Sequence, residues 1–409
     1  MQEIKVHPPI LNTITLCLKA IFEANQVADK VVANTLQENK NFGARDRSTI
    51  AETVYDIVRW KLKYEYQLAQ LGEQFTYYKH LVFVSFVNRN YTIKNIELFD
   101  ITNSEVLRLN EIIQKAIDEK YIEQSYPKTF YDLCLDSIGA SWHQIAKALN
   151  VKPSVYIRVN SLKTSAANLI EILLKEGIEI EAQAKNSYFK ILSKNNLKKS
   201  LYYKQGLFEF QDIGSQEIGN FLFHAIEDKS KIDNISILDL CAGAGGKSLH
   251  LSALLNNRGK IYATDYHAAR LKNLQLRATQ AGCKNIEIID FKTVKNLKNI
   301  DILLIDAPCS GSGTFKRQAD LKYKISVEKI NEYTQIQENL LATYISTLKK
   351  NGKIVYATCS ILPQENQLQI QNFLAKNIAQ WQEKQSQQLL PTMYDGDGFF
   401  MTLLERKDK

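Results

Sequence analysis

The chain has 409 residues, which predicts two or three domains rather than one core. Its hydrophobic content of 45% and charged content of 23% are typical of soluble globular proteins. No stretch approaches the ~20 apolar residues that span a bilayer. The six cysteines are scattered without a CxxC pair. We therefore expect a cytoplasmic protein without a membrane segment, a disulfide framework or a bound metal.

The net charge of +8 is unevenly distributed. Residues 231–409 contain 24 lysines and arginines against 17 aspartates and glutamates, whereas residues 1–150 contain 17 against 18. A basic excess suits a polyanionic partner such as nucleic acid. An ordinary lysine-rich composition gives the same excess, so charge alone leaves both interpretations open.

Residues 1–150 are predicted to form an all-helical domain. Apolar residues recur at helical spacing in four segments, which are residues 10–22, 27–36, 50–68 and 106–117. Residues 41–49 predict a turn and an N-cap before the third of these helices. Several basic residues lie around this turn and helix, namely Arg45, Arg47, Arg59, Lys61 and Lys63. They either contact RNA or form a solvated helix face.

Residues 151–230 are predicted to form a small α+β module that is RRM-like. Residues 155–159 alternate as a strand does, a helix follows over 166–176, and two strand-like runs cover 178–182 and 188–192. An apolar helix is predicted over 218–226, and a polar linker ends the module.

Residues 231–409 predict an α/β domain, because strands, glycine turns and helices alternate. Strands are expected at 236–240, 260–264, 285–289, 301–305 and 353–357. Helices between them predict a doubly wound, Rossmann-like parallel sheet with right-handed crossovers. Residues 398–405 predict a final strand at the edge of the sheet. Both a parallel and an antiparallel direction are open for this strand.

The first of these strands runs into a glycine-rich turn and a helix, a pattern that lets the backbone approach a ligand. Position 248 is Ser, so the third glycine of a dinucleotide fingerprint is missing, and a P-loop motif is also absent. Asp265, Asp290 and Asp306 each follow a strand. Either of the first two aspartates alone is commonly a helix N-cap, but three acidic strand ends in series favour a nucleoside-bearing cofactor.

Two cysteines follow two predicted strands, Cys309 within residues 306–311 (DAPCSG) and Cys359 within residues 358–360 (TCS). The carboxyl ends of parallel strands meet at one edge, so we expect both thiols in one crevice. A thiolate that adds to C6 of cytosine makes C5 nucleophilic toward a methyl donor. Asp306 as an acid at N3 would favour that adduct. The alternative for each cysteine is a buried structural thiol.

The thiol needs to be reactive. Lys247, Lys316 and Arg317 lie close to the cysteine motifs in the sequence or the predicted topology. We therefore expect cations to lower the pKa of the thiol.

Three motifs together resemble RsmB/Sun-type RNA cytosine-C5 methyltransferases, the NOL/NOP/Sun group. They are residues 238–247 (LDLCAGAGGK), 306–313 (DAPCSGSG) and 356–366 (YATCSILPQEN). The resemblance covers residues 150–409 and continues more loosely into residues 41–47, which look like the entry to a NusB-like helical domain. It implies a class I S-adenosylmethionine-dependent fold in residues 231–409.

The resemblance also implies roles for individual residues. Cys359 would be the nucleophile on C6, Cys309 would assist product release, and Asp306 would hold the cytosine or lie near the methyl group. The residues implied to bind S-adenosylmethionine are Cys241, Ala242, Gly243, Ala244, Gly245, Gly246, Lys247, Asp265, Asp290 and Asp306.

The chain departs from the family pattern in four places. Gly243-Ala244 replaces Ala-Pro in the glycine turn, residues 316–320 (KRQAD) replace Arg-Arg-x-Pro-Asp, Tyr323 replaces the Trp that often follows, and Gln364 replaces the first Glu of Glu-Glu-Asn. None removes a group that the chemistry requires.

The sequence therefore predicts a cytoplasmic, monomeric methyltransferase that makes 5-methylcytosine in RNA, with 16S ribosomal RNA as the expected substrate. A tRNA substrate is the first alternative. The second is a ribosome assembly factor whose fold serves mainly to bind RNA. A nicotinamide oxidoreductase is disfavoured by the missing third glycine.

Overall fold

The computed structural model describes residues 2–75, 77–182, 188–193 and 197–407. Two compact units result from the contacts within the chain. The first comprises Met1–Val151 and Phe315–Val327, and the second comprises Lys152–Thr314 and Glu328–Lys409. None of the helices in the described ranges has the length and apolar character needed to cross a membrane.

The first unit is helical, as predicted. Its helices are α1 (Pro8–Phe22), α2 (Ala28–Glu38), α3 (Ala44–Leu71), α4 (Tyr78–Asn88), α5 (Asn103–Gln114), α6 (Lys120–Glu123), α7 (Lys128–Ile138) and α8 (Trp142–Leu149). Two short strands, β1 (Gln2–Ile4) and β2 (Tyr91–Ile93), pair in parallel. The apolar stripes of α1, α3 and α4 form its core.

Helix α3 begins earlier than the sequence predicts. Gly43 is its N-cap, and the backbone N–H of Gly43 donates to the carboxylate of Asp46 at 3.3 Å. Arg45 and Arg47 therefore lie in the first helical turn, not in the predicted loop. The capping interaction explains the early start, because it satisfies a backbone group at the helix terminus.

The segment Phe315–Val327 follows the first cysteine motif in sequence but belongs to the first unit. Arg59 donates to the backbone oxygens of Lys316 at 2.7 Å and Phe315 at 3.4 Å. The amine group of Lys322 is buried, and it donates to the Arg59 oxygen at 2.7 Å and to Asn150 Oδ1 at 3.1 Å. These bonds fix the segment against α3.

The second unit contains a four-stranded sheet of strands β3 (Val155–Val159), β4 (Ile180–Ala182), β5 (Tyr188–Ile191) and β6 (Phe208–Phe210), in the order β4-β5-β3-β6. All its neighbouring pairs are antiparallel. Helix α9 (Ala166–Lys175) packs its buried leucines on one face, and the short helix α10 (Leu201–Lys204) precedes β6. The predicted strand-helix-strand-strand order is present, while residues 183–187 and 194–196 lie outside the described residues.

The second unit also contains a seven-stranded sheet in the order β12-β13-β11-β10-β7-β8-β9. Its strands are β7 (Ser236–Asp239), β8 (Lys260–Ala263), β9 (Ile286–Ile288), β10 (Ile300–Asp306), β11 (Leu348–Thr358), β12 (Trp381–Leu389) and β13 (Phe399–Arg406). The helices of this part are α11 (Ile213–His224), α12 (Gly246–Leu254), α13 (Ala268–Ala281), α14 (Val327–Tyr344) and α15 (Gln367–Lys376).

Strands β7 to β11 are mutually parallel, as the α/β pattern predicts. Strand β13 is antiparallel to β11. The prediction that this last strand forms an edge is wrong, because β12 pairs with its other side. The sheet is a Rossmann-like α/β fold with a mixed edge. The three-domain division of the sequence stays a prediction, since the small and large sheets fall in one compact unit.

Candidate active site

The glycine-rich turn between β7 and α12 has an unusual backbone. Gly243 has a φ of +55° and Gly245 a φ of +89°, a region that side chains disfavour. A Cβ atom on Gly245 would also lie 2.6 Å from Leu274 Cγ. Glycine at position 245 is therefore required by both conformation and space.

This turn borders a cavity of about 280 Å³ at the carboxyl ends of β7 and β10. Seven of the predicted site residues line it, namely Cys241, Ala242, Gly243, Ala244, Gly246, Lys247 and Asp306. Four lining residues were not predicted, namely Ser215, Asp239, Arg270 and Pro308. The location agrees with the rule that open α/β sheets bind ligands at the carboxyl ends of their strands.

Asp239 is a buried carboxylate on the cavity wall. Its Oδ2 accepts from Ser248 Oγ at 2.6 Å, and no described side chain or backbone group donates to its Oδ1. Burial, with a smaller contribution from Asp306, raises the pKa of Asp239 to about 7. Asp239 Oδ1 is therefore available as an acceptor for a cationic ligand in the cavity.

Lys247 and Asp306 form an ion pair that spans the cavity wall, with 2.5 Å between Nζ and Oδ2. Burial opposes the charge of Lys247, but the carboxylate of Asp306 outweighs burial, and the pKa of Lys247 is raised. The lysine therefore remains an ammonium, and it is paired with Asp306.

Asp265 and Asp290 lie after β8 and β9, but neither lines the cavity. Both oxygens of Asp265 accept backbone N–H groups, from Gly243 at 2.9 Å and from His267 at 2.8 Å. Asp265 thus holds the glycine turn in place. Asp290 is exposed and accepts from the N–H of Lys292 at 2.9 Å, so it acts as an N-cap. Their predicted contacts to the cofactor stay predictions.

The two cysteine motifs meet at adjacent strand ends. Asp306 of β10 pairs in register with Ala357 of β11, and beyond these strands Cys309 Sγ lies 3.3 Å from Cys359 Sγ. Both cysteines are free and half-buried. Gly313 closes the arrangement by donating its N–H to the Cys359 oxygen at 3.0 Å.

The neighbouring thiol and burial both act on the proton affinity of Cys309. The hydrogen bond with Cys359 and burial raise the pKa of Cys309 well above its usual range. The prediction that nearby cations lower the pKa is therefore wrong for Cys309, because the bond with Cys359 and burial dominate.

A buried carboxylate, Glu365, connects the two cysteine loops. Its oxygens accept from the N–H of Ser310 at 2.7 Å, from Ser310 Oγ at 2.5 Å and from Ser360 Oγ at 2.5 Å. Gln337 of α14 donates to Glu365 at 3.4 Å and to the oxygen of Pro308 at 2.9 Å. Because Ser310 follows one cysteine and Ser360 the other, this cluster fixes their separation.

A second polar group reinforces the loop of Cys359. Asn366 accepts from Thr358 Oγ1 at 2.5 Å and donates to the oxygen of Ser360 at 2.9 Å. Residues 364–366 belong to the third sequence motif, but the motif alone assigns them no role. A Glu-Asn pair that begins six residues after a candidate nucleophile is the signal that marks them.

Two segments match known family profiles. Residues 229–405 match that of 16S rRNA methyltransferase RsmB/F, and residues 126–195 match that of the RsmF/B-like ferredoxin-like domain. The chain belongs to the RsmB/Sun family. It is an S-adenosylmethionine-dependent methyltransferase, as the resemblance implies.

Relatives and solved structures extend the likeness over the whole chain. Ribosomal RNA small subunit methyltransferase B of Photorhabdus laumondii is 29% identical over 80% of this chain and 78% of its own length. That of Proteus mirabilis is 26% identical over 95% of this chain and 100% of its own. The crystal structure of PH0851 superposes with a TM-score of 0.78 at 21% identity, over 98% of this chain and 100% of its own.

The cavity fits S-adenosylmethionine. The methionine portion of this cofactor is cationic, and Asp239 offers an unpartnered carboxylate oxygen while Asp306 lies on the same wall. The glycine turn leaves its backbone open to a close approach, as the positive φ values of Gly243 and Gly245 show. No group of three or more His, Cys, Asp or Glu within the described ranges is arranged to hold a metal ion.

Proposed function

We propose that this protein transfers a methyl group from S-adenosylmethionine to C5 of a cytosine in small-subunit ribosomal RNA, through a covalent bond between Cys359 and C6. The observation that carries the proposal is the 3.3 Å approach of two thiols at adjacent strand ends, next to Asp306 on the cofactor cavity. The names of the relatives support ribosomal RNA as the substrate.

Cys359 is the better nucleophile of the two because Cys309 retains its proton. The raised pKa of Cys309 makes its thiol the donor in the pair, and the sulfur of Cys359 is then the acceptor. Cys359 is thus poised to add to C6.

Addition of the thiolate to C6 places negative charge on the ring, which N3 relieves by taking or sharing a proton. Asp306 is the acidic side chain at this strand end, and as the partner of Lys247 it can accept a hydrogen bond from the N3–H that forms when N3 takes a proton from water. The bound cofactor supplies an electrophilic methyl group, which the nucleophilic C5 accepts.

Release reverses the addition. The proton on C5 passes to water, the electron pair of the C5–H bond restores the ring double bond, and the C6–sulfur bond breaks toward Cys359. The proton that N3 took during the addition also returns to water, which leaves neutral 5-methylcytosine. The thiol of Cys309 donates a hydrogen bond to the departing sulfur and so re-forms the starting pair. Without this donor the thiolate is a poorer leaving group, and the adduct should persist.

The test uses RNA from cells that lack this protein and a cofactor with a labelled methyl group. Wild type should transfer label that is recovered as 5-methylcytidine from 16S ribosomal RNA. Cys359→Ala should give neither transfer nor an adduct on a denaturing gel, and Cys309→Ala should accumulate the adduct.

Other outcomes would favour one of the alternatives. Loss of the adduct in Cys309→Ala with its retention in Cys359→Ala would exchange the two roles. Label that is found only in the tRNA fraction would show that tRNA, and not ribosomal RNA, is the substrate. Absence of transfer to every RNA fraction would favour an assembly factor that binds RNA.

A further inference from the structure

The four-stranded sheet has a polar face that the proposed chemistry does not use. Its apolar face packs on α9, while Tyr156, Arg158, Lys190 and Glu209 lie on the other face. Tyr156, Arg158 and Glu209 are each at most 3% exposed. The polar face is therefore covered, and it is not an open platform for stacking bases.

One part of this polar face reaches the glycine turn through Gln211. The guanidinium of Arg158 donates from Nε to Gln211 Oε1 at 2.7 Å. Gln211 in turn donates to the backbone oxygen of Gly246 at 3.3 Å and to Ser215 Oγ at 3.1 Å. Gly246 and Ser215 both line the cofactor cavity.

A second connection runs through Arg277 of α13. One end of its guanidinium donates to the backbone oxygen of Ala244 at 2.7 Å, and the other donates to Glu209 at 2.8 Å. Glu209 lies directly opposite Arg158 in the pairing of β3 with β6. The two connections thus start from one buried pair and end on two carbonyls of the same turn.

Burying the charged groups of this cluster costs free energy, and a need to fill the space does not account for that cost. Burial lowers the pKa of Arg158 to about 10, and Glu209 only partly restores it. Burial and the charge of Arg158 also lower the pKa of His250 well below its usual range, and His250 Nδ1 finds no partner in the described part of the chain. Apolar residues would fill this space at lower cost, but they would leave the carbonyls of Ala244 and Gly246 without donors.

We infer that the four-stranded sheet positions the cofactor loop: Arg158 and Glu209, acting through Gln211 and Arg277, hold the backbone of Ala244 and Gly246 in its ligand-binding conformation. These are positioning residues, not catalytic ones. The inference rests on the assignment of S-adenosylmethionine to the cavity, and it does not depend on the target base or on Cys359.

The experiment measures binding of S-adenosylhomocysteine to the full chain by titration calorimetry, without RNA. Arg277→Met and Gln211→Leu should each raise the dissociation constant about tenfold, since each removes hydrogen bonds that involve a loop carbonyl. Glu209→Gln should bind nearly as wild type does, because its amide oxygen still accepts from Arg277.

The matched control is Lys190→Met. Lys190 lies on the same polar face, and its ammonium bonds Asp395 at 2.7 Å, with no described bond to the turn. It should lower the melting temperature by about as much as Gln211→Leu does while the dissociation constant stays that of wild type. Steady-state kinetics should show a raised KM for S-adenosylmethionine with an unchanged kcat at saturation in Gln211→Leu.

Wild-type binding by both Arg277→Met and Gln211→Leu would overturn the inference. Equal weakening by Lys190→Met would also overturn it, because the module would then act only through overall stability. Since RNA is absent, a protein that fails to methylate cytosine can still show the selective loss of binding, and the two proposals fail separately.

Discussion

Cys309 Sγ and Cys359 Sγ lie 3.3 Å apart although 50 residues separate them in the sequence. The strands before them are adjacent and in register, which brings the two loops together. The register alone does not fix the distance between two side chains on loops. Glu365 does so, because one carboxylate binds both Ser310 and Ser360.

We predict that Glu365→Gln lowers kcat at least tenfold. The amide nitrogen of Gln would face donors from Ser310 and Gln337, so two bonds are lost and the cysteine loops separate. A buried bond to a charged group contributes about 1.5–3 kcal/mol, so the free energy of unfolding should fall by a similar amount. Single-turnover kinetics and urea denaturation measure the two effects.

Glu338→Gln is the control for Glu365→Gln. Glu338 lies on α14, the helix that carries Gln337, and it forms a solvent-exposed ion pair with Lys376. Exposed pairs contribute about 0–1 kcal/mol, so this variant should keep wild-type kinetics. A fully active Glu365→Gln would show that the register alone sets the thiol pair.

Asp239 should make cofactor binding pH-dependent. Its pKa of about 7 means that the carboxylate is neutral below pH 6 and charged above pH 8. The α-ammonium group of the ligand is attracted more strongly to the charged form, so the dissociation constant of S-adenosylhomocysteine should fall as pH rises through 7. Asp239→Asn should bind weakly with little change over this range. Calorimetry between pH 6 and pH 8.5 measures both.

The same pKa predicts the pH dependence of stability in the absence of ligand. The folded pKa exceeds the usual value of 3.8, so the contribution to stability is present below about pH 4 and is lost as pH rises through 7. The loss is on the order of a few kcal/mol. Asp239→Asn should therefore be more stable than wild type at pH 8, and a less stable variant would contradict the assignment.

Sequence patterns were sufficient for the parallel strands and the glycine turn, because alternating strands and glycine turns are local signals. They missed α4, whose residues from His80 to Phe86 are all buried, so it shows no polar face and no helical period. They also missed β12, whose central side chains are exposed at the sheet edge. In the site, the roles of Asp239 and Glu365 depend on contacts between distant segments, which spacing does not reveal.

Gly245 and Gly243 form a matched pair for testing the turn. A Cβ on Gly245 would meet Leu274 at 2.6 Å, whereas the nearest atom to a Cβ on Gly243 is 4.0 Å away. Both have positive φ, so each alanine costs about 1 kcal/mol in conformation. Gly245→Ala should also displace Leu274, with a further loss of about 1–3 kcal/mol and of cofactor binding.

Thermal unfolding and S-adenosylhomocysteine titration separate the two alanine variants. We expect Gly243→Ala to fold with a small decrease in melting temperature and to retain measurable binding. Equal effects of the two substitutions would mean that alanine is disfavoured in the turn by the positive φ, and not by the lack of space beside Leu274.

Arg59 should control the order of the segment that follows the first cysteine motif. Its guanidinium donates to the carbonyls of Phe315 and Lys316, and burial lowers its pKa. Arg59→Met removes these two donated bonds, at a cost of about 1–3 kcal/mol. Amide hydrogen exchange over residues 315–327 should therefore accelerate.

Arg47→Met is the control for Arg59→Met, since Arg47 lies on the same helix and donates only near its start, to the oxygen of Asn39 at 3.2 Å. It should leave exchange over residues 315–327 unchanged. Lys322 also binds this segment to α3 through the oxygen of Arg59, a bond that Arg59→Met retains. Exchange should therefore accelerate most at residues 315–317 and least near Lys322, and uniform acceleration would mean that the whole helical unit has loosened.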